Sequence, residues 1–251
     1  MANASTSRKV SPDSYAHQTH RPLVCLVFVA PLILLFQAGA AYYGTSLLAP
    51  RDLGRLLEYF GASAAYLPAL LIVTVLMIQH LVKRDRWTLR PAVLLMMVGE
   101  AILWTVPLVV ANLLADRLMS QAAASSAEST RFIQDIFKGL GAGIYEEFIF
   151  RLALISLAML LFVDVLSLPK EAVAICAILV TACLFSLYHF PTGLPLEGFP
   201  WKSFLFYAMA GVYLGGVYVT RGFGIAVGTH AFYNLVIALL TQFANHGQLA
   251  H

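Results

Sequence analysis

Residues 145–151 read Tyr145-Glu146-Glu147-Phe148-Ile149-Phe150-Arg151, inside an apolar run that extends from about 139 to 163. An ionisable side chain in hydrocarbon costs roughly 2.5–3.5 kcal/mol on insertion scales, so its default reading is a functional site. Glu147 and Arg151 are four apart, share a helix face and can pair. Glu146 points about 100° away and is not neutralised by that arginine. One carboxylate is thus taken up structurally while its neighbour stays available. A carboxylate withdrawn from water titrates nearer neutrality, which suits a general base or acid.

Two further polar pairs follow on apolar segments, Phe185-x-x-x-His189 and His230-x-x-x-Asn234. His189 ends its segment, where a neutral ring can orient a water, bind a metal or simply cap a helix. His230 and Asn234 face the same way and can both donate hydrogen bonds, as an oxyanion needs, although helix–helix glue is the plainer role. A Glu, two His and an Asn on three separate spans supply a base, a water-positioning group and oxyanion donors.

The rest of the chain has the same apolar character. Its 251 residues are 60% hydrophobic and 12% charged, and the mean hydropathy is +0.78. Soluble domains average about 25% charged residues. The composition therefore specifies an all-α, polytopic transmembrane helix bundle. Seven spans are expected, at 22–43, 60–82, 91–115, 139–163, 170–190, 202–220 and 223–243, each near the ~20 apolar residues of a bilayer core. Residues 1–21 read as a disordered polar tail, 22–130 as N-terminal membrane helices, 131–243 as the helical core that carries the polar motifs, and 244–251 as a tail. Segment 131–138 is amphipathic and suits either the interface or an extension of the fourth span. Segments 116–130 and 191–200 read as loops, the latter holding Pro191, Pro195, Pro200, Gly193 and Gly198.

Basic residues give orientation. Grouping Lys83, Arg84, Arg86 and Arg90 inside also places Arg8, Lys9, Arg21, Lys170 and Arg221 there. The other side holds Arg51, Arg55, Arg117, Arg131, Lys138 and Lys202. Nine against six leans toward an inside N-terminus, with Glu146 and His189 toward the outer leaflet. A net charge of +3 is a topology signal rather than a nucleic-acid footprint. Cys25, Cys176 and Cys183 are an odd set in apolar runs without a C-x-x-C pair, which argues against disulfides and a cysteine metal site. Neither H-E-x-x-H, G-x-S-x-G nor a P-loop is present. Gly139, Gly141, Ala142 and Gly143 allow close helix approach, and Gly211 to Gly216 form a packing face. Glu100 lies mid-span with no assigned role, and His80 abuts the basic loop.

The order E-E-x-x-x-R, F-x-x-x-H and H-x-x-x-N over 139–240 resembles the CPBP intramembrane proteases. That group includes type II CAAX prenyl endopeptidases and the bacteriocin-processing or immunity proteins also called Abi. The resemblance implies that Glu146 activates water together with His189, that His230 and Asn234 form the oxyanion hole, and that Glu147 and Arg151 support them. It implies no obligatory cofactor, since Asn is a poor zinc ligand. Zinc on Glu146, His189 and His230 is the alternative. The implied partners are the bilayer and a polypeptide substrate with a membrane anchor or leader, with no nucleic acid. Short spans and loops point to a prokaryotic inner membrane. In the prenyl endopeptidases the site opens to the cytosol, whereas the charge grouping leans to the other face.

Three activities compete on this reading. The first is an intramembrane endopeptidase that cuts near a terminus. The second is a non-catalytic scaffold or immunity-type binder that keeps the polar core. The third is a proton-coupled carrier, which the lack of an internal repeat disfavours.

Overall fold

The computed structural model describes residues 14–43, 66–119, 129–190 and 198–249. Every described element is helical. In chain order these are α1 (Tyr15–Gln18), α2 (Pro22–Tyr43), α3 (Leu67–Val82), α4 (Pro91–Met119) and α5 (Ser129–Glu147). A π-helical segment, Phe148–Ala153, continues α5 into α6 (Leu154–Ala158) and a second π-helical segment, Met159–Val165. Then come α7 (Lys170–Tyr188), α8 (Trp201–Arg221) and α9 (Phe223–Leu249).

Six stretches are long and apolar enough to cross a membrane: Pro22–Tyr43, Pro91–Ala115, Phe132–Val165, Lys170–Tyr188, Trp201–Arg221 and Phe223–Ala244. The expected second span is represented by the shorter Leu67–Val82, and residues 60–65 of it lie outside the described residues. The amphipathic segment 131–138 extends the fourth span instead of lying apart from it. Part of the expected loop at 116–130 is helical, since α4 runs to Met119 and α5 starts at Ser129. Residues 191–197 of the other expected loop lie outside the described residues. The outward faces are apolar, with Leu34, Leu95, Leu103 and Phe243 all well exposed, as in a bundle solvated by lipid. The protein is an integral, multi-pass membrane protein.

The bundle is built around α9, which packs against α5, α4, α8 and α2. Ile225, Ala226, Val227 and Thr229 of its first turns are fully buried. Small residues allow this crowding. A Cβ at Gly143 would lie 2.9 Å from the backbone nitrogen of Ala231, so α5 and α9 touch backbone to backbone there. Gly211 does the same for α8 against Ala182 of α7. A single residue, Gly222 at φ 92°, links α8 to α9, and that backbone suits glycine.

One end of the bundle is tied by polar contacts. Arg21 donates from Nε to Asp85 at 2.7 Å and from its other nitrogens to the carbonyls of Thr88 and Arg86. His20 donates through Nε2 to the Thr220 carbonyl at 3.1 Å. Glu100 accepts from Tyr15 Oη at 2.5 Å, from Trp104 Nε1 at 3.0 Å and from Arg221. This knot joins α1, α4 and α8, and gives Glu100 a structural partner set. Residues 14–21, expected in a disordered tail, instead form α1 and a buried link in which Gln18, Thr19 and Arg21 are sheltered. At the other terminus α9 continues through most of the expected tail, to Leu249.

Candidate active site

Glu146 and Glu147 close the last α-turn of α5, and the wider π-turn begins at Phe148. A π-turn adds a residue to the ring closed by each hydrogen bond and re-aims the side chains around it, often at functional sites. Both carboxylates are buried, Glu147 completely. They nevertheless meet different partners. Glu147 Oε1 lies 3.1 Å from Arg151 Nη1 and 2.9 Å from His230 Nδ1. Arg151 is itself 1% exposed, donates to the Gly211 carbonyl at 3.2 Å and stacks over the Phe185 ring at 4.5 Å. The pair is therefore a buried ion pair fixed to α7, α8 and α9 at once.

Glu146 is held differently. Its Oε2 is buried and has no hydrogen-bond partner among the described residues. It faces His189 Nε2 and His230 Nε2, each 3.9 Å away. That is too long for a direct hydrogen bond, yet one water about 2.8 Å from both atoms fits between them. Both rings have a defined proton. His189 caps α7 and donates from Nδ1 to the Phe185 carbonyl at 2.8 Å. His230 donates from Nδ1 to Glu147. With Nδ1 so engaged, each ring turns its Nε2 toward Glu146.

Asn234, one turn beyond His230 on α9, donates from Nδ2 to the Gly139 carbonyl at 2.8 Å. One amide hydrogen is spent there and one remains. Gly139 and Gly143 admit α9 close enough for this bond. All four sequence candidates, Glu146, His189, His230 and Asn234, line one cavity of about 540 Å³. Glu147 and Arg151 lie behind it. Phe185, the first residue of its motif, separates the arginine from His189, packing edge-on to that ring at 4.7 Å.

Sequence reasoning missed Tyr207. Its ring stacks on His189 at 4.1 Å with planes 19° apart, and it lines the cavity. It fixes the ring plane that aims Nε2 at Glu146. Its signal was weak, a lone aromatic within an aromatic-rich span.

The alternative zinc set was Glu146, His189 and His230. Ligands about 2.05 Å from a tetrahedral zinc sit about 3.3 Å from one another, closer than the 3.9 Å separations here. Among the described residues no group of three His, Cys, Asp or Glu is arranged to hold a metal ion.

No curated protein and no solved structure matches the chain significantly. Residues 128–236, which hold all three motifs, match the family model described as Type II CAAX prenyl endopeptidase Rce1-like. That segment is similar to the Rce1-like type II CAAX prenyl endopeptidases, a protease family.

Proposed function

We propose that the chain is an intramembrane endopeptidase that hydrolyses a peptide bond of a membrane-associated or exported polypeptide near a terminus. The observation that carries this reading is the unpartnered Glu146 oxygen, buried in the cavity and 3.9 Å from two imidazole nitrogens. A buried polar atom without a partner is costly, and a site that holds a reacting water accounts for it.

A water in that gap donates one hydrogen to Glu146 and the other to His189 Nε2. Glu146 takes the first proton as the water oxygen attacks the scissile carbonyl. The carbonyl oxygen, now negative, accepts from the remaining Asn234 amide hydrogen. It also accepts from the His230 Nε2–H. Glu146 then returns its proton to the leaving amine as the C–N bond breaks. Glu147 holds His230 through Nδ1, and Arg151 balances Glu147. No metal enters these steps. The substrate is a polypeptide with a membrane anchor or leader, and a prenyl group is not required by the chemistry.

The test compares wild type with Glu146→Gln in native membranes by terminal-peptide mass spectrometry, with abundance and melting temperature as controls. New termini present only with the wild type, at equal protein levels, are the expected result. Identical termini would move the assignment to a non-catalytic scaffold or immunity-type binder.

A further inference from the structure

At the end of the bundle tied by Arg21, a second cavity of about 620 Å³ lies between the N-terminal segment and the α3–α4 loop. Lys83, Arg84, Arg86 and Arg90 line it from the loop, and His17 and His20 from the chain before α2. Among the described residues Asp85 is the one carboxylate that lines it, and its charge is already answered by Arg21 and by the Arg86 amide. Arg21 in turn is spent on Asp85 and on two loop carbonyls. The side chains of Lys83, Arg84 and Arg86 have no hydrogen-bond or ion-pair partner among the described residues, so the cavity keeps their charge.

The loop is held in shape. Arg84 takes a left-handed backbone (φ 49°), uncommon for a side chain of its size. Its amide donates to the Leu81 carbonyl and that of Asp85 to the His80 carbonyl, which folds the loop over the end of α3. The guanidinium of Arg21 then pins residues 85–88 from beneath. The fixed loop backbone thus presents these exposed cations around one space.

Its depth identifies the ligand. The cavity sits where α2, α3 and α4 all reach the end of their apolar stretches. Trp87 is 65% exposed there, with its ring edge against His80. An exposed Trp beside cations belongs at the headgroup level of a bilayer. Guanidinium groups match phosphate oxygens in geometry and charge. We infer that this cavity binds the phosphate headgroup of an anionic phospholipid.

The full-length protein is placed in phosphatidylcholine nanodiscs with and without phosphatidylglycerol. Retained lipid is read by native mass spectrometry and stability by melting temperature. Wild type should retain phosphatidylglycerol over phosphatidylcholine by about tenfold and melt higher with it. The variant K83Q/R84Q/R86Q should lose that preference, whereas K170Q/K202Q should keep it. Because Arg84 shapes the turn, K83Q/R86Q is the second variant, expected to lose most of the preference while melting as wild type does in phosphatidylcholine. Equal retention by wild type and either loop variant would overturn the assignment. So would inorganic phosphate that displaces the lipid and reproduces its stabilisation, which would make the ligand a soluble phosphate.

Discussion

Two neighbouring carboxylates take opposite parts because one residue step on a helix turns them toward different partners. Glu147 meets Arg151 and His230, while Glu146 meets the cavity and two imidazole nitrogens. The Glu147–Arg151 pair lies where water cannot screen it, so removing one partner strands a buried charge. Arg151→Met is expected to cost about 3–5 kcal/mol, read as a lower melting temperature and less folded protein in membranes. The double change Glu147→Leu with Arg151→Met should recover most of that stability, because it removes both charges and their desolvation cost. Activity should stay low in the double variant, since His230 loses the carboxylate that orients it. A single Arg151 variant as stable as wild type would refute the structural role.

Helix packing brings the residue pairs into one site, and at this scale the sequence is only partly transparent. Motif order placed Glu146, His189, His230 and Asn234 on three helices, and the structure brings them together around one cavity. Their shared surroundings were legible because polar residues stand out in apolar runs. The π-turn after Glu147 was not, since an i→i+5 bond leaves no periodic trace in an all-apolar segment. Glu100 stayed without a partner in sequence because Tyr15 and Arg221 are 85 and 121 residues away along the chain. The N-terminal segment was misjudged because composition equates polar with solvated, whereas Arg21 satisfies loop carbonyls that would otherwise be bare. The small residues before the carboxylates were read as permitting close approach, and Gly143 makes the consequence testable. A side chain there meets the backbone nitrogen of Ala231 at its first carbon. Backbone cannot swing aside as a flexible side chain can, so α9 must shift. Gly143→Val is expected to destabilise by about 1–3 kcal/mol and to lower kcat further than stability alone predicts, because His230 and Asn234 move with α9. Unchanged kcat and melting temperature would show that the two helices have slack.

Across the whole molecule the two ends are chemically unlike. The proposed catalytic cavity is reached past Lys138 and the α7 terminus, whereas the opposite end gathers the cationic loop and the Glu100 knot. That separation lets the basic end be altered without touching the reacting groups. Asp85 is the handle. Burial pushes its carboxyl up, but the hydrogen bond from Arg21, the Arg86 amide, and the charges of Arg21 and His80 outweigh this and hold it below its ordinary value. A group depressed on folding adds stability above its unfolded value, near 3.9, and loses it as pH falls through the folded value. Wild type should therefore lose melting temperature progressively on acidification below about pH 4, as Asp85 takes a proton and Arg21 loses its partner. Asp85→Asn should start lower at neutral pH and show a flatter acid limb, because its contribution is already gone. Turnover at neutral pH should match wild type, since the loop lies at the far end from Glu146. A variant with the same acid limb would assign the titration to another carboxylate. One with impaired turnover at unchanged substrate affinity would show that the two ends are coupled through α9, the helix that begins beside the Arg21 knot and carries His230 and Asn234 into the cavity.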